Sequence, residues 1–284
     1  MRFACYHTHT DFCDGAASVE TMCTAAAEQE LFALGFSAHA PMPIKTSWHL
    51  PDDRLEAYIS TVRECAASWK GRLTVLLGLE IDYLAGVCSP ADGHFQALGL
   101  DYSIGSVHYL TPLHGSKPFT VDGPRDEWEE GVRTGFGGDG EQAAVSYWET
   151  VADMVRNGGF DIVGHLDVIK KNNGAGGAKR SFDPDGKRYR NAVLATLDAI
   201  AEAGLVVEVN TGALNRGTLT EMYPAPWMLQ ELRARKVRIM INSDAHRPEH
   251  LSGFYPEARA LIKNSGFTEI VLFDGLSWFN EKLD

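Results

Sequence analysis

RFACYHTHTDFCDG, residues 2 to 15, sets a short apolar run directly against two histidines, a cysteine and an aspartate. Residues two apart on an extended segment point to the same side, so His7 and His9 can aim two imidazoles at one point. The arrangement recurs along the chain. Further apolar runs occur at ALGFSAH (33–39), TVLLGLEIDY (74–83), YSIGSVHYL (102–110), DIVGHLD (161–167), LVVEVN (205–210), VRIMINSD (237–244) and EIVLF (269–273). His39 ends the second run, Glu80 and His108 lie late in the third and fourth, His165 lies late in the fifth, and Asp244 with His246 closes the seventh.

Between these runs, segments such as SVETMCTAAAEQE (18–30) and DRLEAYISTVRECAASW (53–69) space apolar residues by three and four, the helical period. Ser18 is the expected N-cap of the first. Strands alternating with helices predict an α/β fold with a mostly parallel sheet, either open or closed into a barrel. In such folds the C-terminal ends of the strands carry the loops that build active sites, and the polar residues fall at those ends. One histidine at a strand end is ordinarily a hydrogen-bonded core residue. Repetition over six runs is harder to explain as packing, because a buried imidazole or carboxylate is costly unless paired or coordinated. The joint reading is a metal site.

Imidazole and carboxylate donors without organised thiolates suit zinc, manganese or iron. Asp14 joins the candidate ligands after a short loop, although Asp followed by Gly is also a turn signal. His49, His94, His114 and His250 lie away from strand ends and are expected at the surface. Nine candidate ligands exceed what one ion takes. Three divalent ions would bring a charge of about +6 against the carboxylates of Asp14, Glu80 and Asp244, leaving a cationic pocket suited to a phosphate. Such ions polarise phosphoryl oxygens and lower the pKa of bound water to about 7, which points to metal-assisted hydrolysis.

The 284 residues are 44% hydrophobic, enough for a sizeable core, and a single domain over residues 1 to 284 is expected. A net charge of −12 argues against nucleic acid or anionic membrane as partner, since phosphate backbones are held mainly by Lys and Arg. The longest apolar-looking stretch, AVLATLDAIAEAGLVVEV, is interrupted by Asp198, Glu202 and Glu208, and the N-terminus has no apolar signal region. Five scattered cysteines form no CxxC pair and suit a reducing compartment, so a cytoplasmic location is expected. Two long loops are read at 111–140 and 170–187, as functional covers or disordered segments. GAGGAKRS (174–181) is not a phosphate loop, because no Gly precedes Lys179. No GxSxG elbow and no GxGxxG after the first strand are present, which disfavours a serine triad and a dinucleotide site.

The ordered set HTHTDFCDG, FSAHAP, GLEIDY, GSVHYL, GHLDVIKK, VEVNTGALNRG and INSDAHRPEHL resembles the polymerase and histidinol phosphatase (PHP) superfamily, specifically its histidinol-phosphatase branch. The resemblance runs from residue 7 to about 251. It implies a distorted (β/α)7 barrel, TIM-like, with a trinuclear metal site at the C-terminal ends of the strands. By that likeness His7, His9, Glu80 and Asp244 would hold one ion, Glu80, His108 and His165 a second, and Asp14, His39 and His246 a third. A metal-bound hydroxide held by Glu80, Asp244, His7 and His9 would attack phosphorus, releasing phosphate and, in this branch, L-histidinol, a step of histidine biosynthesis. Arg216, Lys170 and Lys171 are the basic residues expected to meet the substrate's phosphate, with Arg216 first because its guanidinium offers a bidentate fork. Seven strands in the family against eight apolar runs here imply that one run is peripheral. Ala38 stands where an acidic residue is expected before His39, and Asp14 stands where this branch can carry His. Two other readings compete: a related phosphoesterase acting on another small phosphate ester or a nucleotide, and a catalytically silent metal-bound scaffold module. Oligomeric state is not legible.

Overall fold

The computed structural model describes residues 2–114, 117–174, 177 and 179–283. Its strands are β1 (Ala4–Cys5), β2 (Ala33–His39), β3 (Thr74–Asp82), β4 (Tyr102–Ser106), β5 (Tyr109–Leu110), β6 (Phe119–Thr120), β7 (Ile162–Val163), β8 (Val206–Asn210), β9 (Arg238–Asn242), β10 (Glu269–Phe273) and β11 (Trp278–Lys282). Seven of them form one parallel sheet in the order β1-β2-β3-β4-β7-β8-β9. The two edges of that sheet meet beyond the strands, where Thr8 bridges Ala245 in parallel register. His9 N donates to Ala245 O at 2.9 Å and Ala245 N donates to His7 O at 3.0 Å. The sheet is thus a nearly closed, seven-stranded barrel. The eighth apolar run, β10, pairs antiparallel with β11 and stays outside it, which makes it the peripheral run.

Helices Val19–Glu28, Leu55–Trp69, Gly140–Asn157, Lys187–Ala203, Pro226–Ala234 and Tyr255–Asn264 cover the barrel. Local chemistry marks their ends. Ser18 Oγ accepts from Thr21 N, as its N-cap assignment requires. Asp139 does the same for Gln142 N at 2.9 Å, and that helix stops at Gly158 with φ of +70°.

Alternation along β3 explains how the barrel positions its polar groups. Leu77, Leu79 and Ile81 pack outward in a cluster with Tyr58 and Val62, while Gly78, Glu80 and Asp82 face the barrel interior. Tyr102 plugs the lower interior, with its hydroxyl donating to Tyr6 O and Phe36 O. Gly35 and Gly78 make room for it, since a Cβ on Gly78 would lie 2.6 Å from the Tyr102 ring and one on Gly35 would collide with its hydroxyl. With the bottom filled, the polar layer lies at the C-terminal mouth.

The stretch 111–140 is not the structureless loop that its glycines imply. β6 pairs with β5, and a helix spans Arg125–Gly135 after Pro124. Trp128 and Val132 bury that helix's inner face. Gly131 lets it lie on Phe119, whose ring a Cβ would strike. The stretch 170–187 is also partly ordered: a 3-10 helix covers Val168–Asn172, and Asn173 binds Ser181 N at 2.9 Å and Phe182 O at 3.1 Å. Gly115, Ser116, Ala175, Gly176 and Ala178, which fall in the two expected loops, lie outside the described residues.

Candidate metal centre

Nine side chains expected as ligands converge at the mouth of the barrel. His39 ends β2 and stands in register with Glu80 on β3. His7 and His9 follow β1, His108 follows β4, His165 follows β7, and Asp244 with His246 follows β9. Asp244 adopts φ of +50°, a left-handed conformation that aspartate tolerates better than most residues.

Glu80 is the hub. Its Oε1 lies 2.8 Å from His165 Nε2 and 3.7 Å from His108 Nε2, and it accepts from Ser106 Oγ at 2.7 Å. Its Oε2 lies 2.9 Å from His39 Nδ1, 3.1 Å from His7 Nε2 and 3.6 Å from His9 Nε2. Asp244 Oδ1 is 3.4 Å from His9 Nε2 and 3.7 Å from His7 Nε2. At the outer rim Asp14 Oδ2 meets His246 Nε2 at 3.2 Å, and Asp14 Oδ1 lies 3.7 Å from His9 Nδ1 and 3.8 Å from His39 Nε2. Four overlapping groups could each hold an ion: His9, Asp14, His39 and His246; His7, Glu80 and His165; His7, His9 and Asp244; His39, Glu80 and His108. His7, His9 and His39, like Glu80, therefore each belong to two groups, a wider sharing than the partition implied by family resemblance, in which Glu80 alone is shared.

The donor set fits divalent transition metals on two observations. His7 Nε2, His9 Nε2, His39 Nδ1 and Glu80 Oε2 are all buried without a hydrogen bond of acceptable geometry, although they crowd together. Buried polar atoms are rarely left so, and a shared cation is the partner that all four accept. His108 Nε2 and His165 Nε2 also face each other at 3.1 Å, where two imidazole lone pairs repel unless a proton or cation lies between them.

The electrostatics point the same way. Burial, with His246 and His39 close by, lowers His9 to about 3, so this imidazole is neutral and free to donate its lone pair. Burial opposes ionisation of Glu80, yet His7, His39 and His108 hold its carboxyl well below the usual range. Burial likewise opposes protonation of His108, but Asp82 and Glu80 outweigh it and raise the imidazole to about 10. Without other cations, imidazolium protons balance the carboxylates. Metal ions would replace them.

A ring of groups behind the ligands was not anticipated from sequence. Glu208 is fully buried and holds His7 Nδ1 at 3.0 Å, accepting also from His165 N, Asn210 Nδ2 and Asn242 Nδ2. Asp82 holds His108 Nδ1 at 2.9 Å and His49 Nε2 at 3.1 Å. His49 is accordingly buried rather than at the surface, with its other nitrogen 2.7 Å from Thr46 Oγ1 and its ring stacked on Trp48 at 3.7 Å. The missed signal was a carboxylate inside an apolar strand, read at Glu80 but not two residues on at Asp82, nor in VEVN. Cys13 Sγ lies 3.5 Å from His9 Nδ1, in the corresponding place behind that ligand.

A cavity of about 390 Å³ opens in front of the cluster. The predicted cations divide here. Arg216 lines the cavity, its Nη2 donating to Asp244 Oδ2 at 3.0 Å and its Nη1 to Asp244 O at 3.1 Å. Burial disfavours its charge, but Asp244 holds the guanidinium firmly protonated. Lys171 also lines the cavity, 3.5 Å from Asp122. Lys170 is turned away, donating to Met222 O at 2.6 Å and pairing with Asp167 at 3.1 Å and Glu221 at 3.2 Å.

The PHP domain family matches residues 6–212. A Deinococcus radiodurans protein named "Probable histidinol-phosphatase" is 31% identical over 92% of this chain and 92% of its own length. The histidinol-phosphatase of Bacillus subtilis is 26% identical over 85% of this chain and 92% of its own. A histidinol phosphate phosphatase of Lactococcus lactis, solved in complex with zinc, L-histidinol and phosphate, superposes with a TM-score of 0.71 over 98% of this chain and 99% of that one, at 21% identity. From the shared barrel, the family match and these relatives, the chain belongs to the PHP family and to its histidinol-phosphatase branch.

Proposed function

We propose that this protein is a metal-dependent phosphomonoesterase that hydrolyses L-histidinol phosphate to L-histidinol and inorganic phosphate. The observation that carries the reading is the convergence of His7 Nε2, His9 Nε2, His39 Nδ1 and Glu80 Oε2, buried together without hydrogen-bond partners. Up to three divalent ions, zinc, manganese or iron, would be held by His7, His9, Asp14, His39, Glu80, His108, His165, Asp244 and His246. When bound, such ions polarise phosphoryl oxygens and make water nucleophilic near neutral pH.

The chain's own residues supply the rest. Glu208 and Asp82 occupy the rear nitrogens of His7 and His108, which fixes their tautomers and turns Nε2 toward the centre. Asp244 engages Arg216 along one side of the guanidinium, leaving further N–H donors for phosphate oxygens. Lys171 adds a second positive charge on the cavity wall. Trp48, Val168 and Tyr223 give that cavity apolar surface for the organic part of the ester. None of the described helices is long and apolar enough to cross a membrane. A cytoplasmic enzyme, one domain over its 284 residues, acting on a small molecule rather than on nucleic acid, completes the reading; its five unbridged cysteines and net charge of −12 support it.

The test is phosphate release from L-histidinol phosphate by purified protein reconstituted with zinc, manganese or iron. Chelator-sensitive turnover is expected. Metal-loaded protein that leaves this ester intact would overturn the assignment.

A further inference from the structure

One wall of the cavity is built by Thr120, Asp122, Gly123, Pro124 and Glu127, from the end of β6 and the segment that follows it. It brings two carboxylates to a site whose substrate end is anionic. Resting on the function proposed above, we infer that Asp122 is the specificity-determining residue that receives the primary ammonium group of the substrate.

Three features of the wall lead there. The first is the division of labour between the two acids. Glu127 Oε1 accepts from Thr120 N at 2.8 Å and so ties down the end of the hairpin. Asp122 meets Lys171 at 3.5 Å, a looser approach than the 2.6 to 3.0 Å contacts of Lys170 with Met222 O and Arg216 with Asp244. A carboxylate accepts in about four directions, so Asp122 has capacity left for a ligand.

The second is position. Asp122 lines the same cavity as His108, His165, Lys171 and Arg216, with its side chain about three-quarters buried. In an amino-alcohol phosphate such as L-histidinol phosphate, the amine is on the carbon next to the one bearing the ester oxygen. With phosphorus at the metal cluster and Arg216, the ammonium must lie close to it, and the imidazole farther out. An acid on the wall of that same cavity, beside Lys171, is placed for the near cation.

The third is charge. Arg216 and Lys171 together attract phosphate but repel an ammonium. Asp122 provides the local negative charge that lets one cavity take a zwitterionic ester, and it discriminates against phosphate esters that lack the amine. A charged group left facing such a carboxylate without its partner forfeits a charge-assisted bond.

Calorimetric titration of the metal-loaded protein with L-histidinol, and with the deamino alcohol 3-(imidazol-4-yl)propan-1-ol, tests this directly. The wild-type protein is expected to bind the amine about tenfold or more tightly than its deamino counterpart, and Asp122→Asn to bring that ratio near one. Glu127→Gln is expected to retain the preference. A wild-type ratio near one overturns the inference whether or not the variant folds, and so does a preference that survives in Asp122→Asn. If L-histidinol binds with the expected preference but its phosphate ester is never hydrolysed, the proposed reaction fails while the role of Asp122 stands.

Discussion

Glu208 holds the rear nitrogen of His7 at 3.0 Å while the forward nitrogen of the same ring lies 3.1 Å from Glu80. One imidazole is thus held from behind by a carboxylate on one strand and presents its unpaired nitrogen to a carboxylate on another. Glu208→Gln keeps the size of the side chain but removes the charge that orients His7. Metal affinity is expected to fall by about 10- to 100-fold, the usual effect of losing such a partner. Competition with a chromogenic chelator measures it, and unchanged affinity would refute the role.

Asp82 plays the corresponding part for His108, and His49 steadies Asp82 from behind. Asp82→Asn is expected to weaken metal retention about as much as Glu208→Gln. His49→Ala is expected to weaken it less, because Asp82 keeps its bonds to His108 Nδ1 and His108 N. Metal content after dialysis ranks the two variants.

The two adjacent lysines make opposite predictions. Lys171→Ala removes a cavity charge and is expected to raise KM for phosphate esters severalfold. Lys170→Ala instead removes the cation paired with buried Asp167, which keeps only its bond from Ala225 N, and the donor to the carbonyl of Met222. Its cost is expected in stability, about 1–3 kcal/mol for leaving such groups unpaired. Steady-state kinetics and urea unfolding on both variants separate the two effects.

The metal-free protein carries a pH signature. His108 is raised to about 10 in the fold, against about 6.5 in an unfolded chain. The stability it contributes is complete below about 6.5 and is lost as pH rises through about 10. Asp82 is held low, so its contribution is present above about 3.9 and is lost as pH falls. Chelated protein is therefore expected to melt at progressively lower temperature between pH 7 and pH 10. With metals bound the imidazoles are neutral throughout, and the curve is expected to be flatter over that range. A chelated protein that becomes more stable toward pH 10 would contradict this balance of charges.

Gly35 and Gly78 hold no functional group, yet the site stands on them. Tyr102 fills the space above both and is anchored by its hydroxyl to Tyr6 O and Phe36 O. Gly35→Ala is expected to destabilise the barrel by about 1–3 kcal/mol through overpacking, seen as a lower urea midpoint.

Much of this architecture was legible in the sequence because strands advertise themselves by apolar runs. The ligands interrupt those runs at one end, where His39, Glu80, His108, His165 and Asp244 stand. What was hidden depends on partners distant in the chain. Glu208 looked like a break in an apolar stretch, and its worth appears only when β8 brings it beneath His7 on the far edge of the sheet. His49 follows no strand and becomes structural only through Asp82. The glycines of 111–140 concealed a helix and the wall that carries Asp122, because Gly131 serves close packing against Phe119 rather than disorder. Lys170 and Lys171 are neighbours in sequence and separate only when the turn after Asp167 sends one toward Met222 and the other toward Asp122.

Anomalous X-ray scattering from crystals of the metal-loaded protein tests the central claim most directly. Peaks are expected about 2.0–2.2 Å from His7 Nε2, His9 Nε2 and Glu80 Oε2, at the normal coordination distances of imidazole and carboxylate. A map without peaks there, in protein shown to be saturated with metal, would contradict the account.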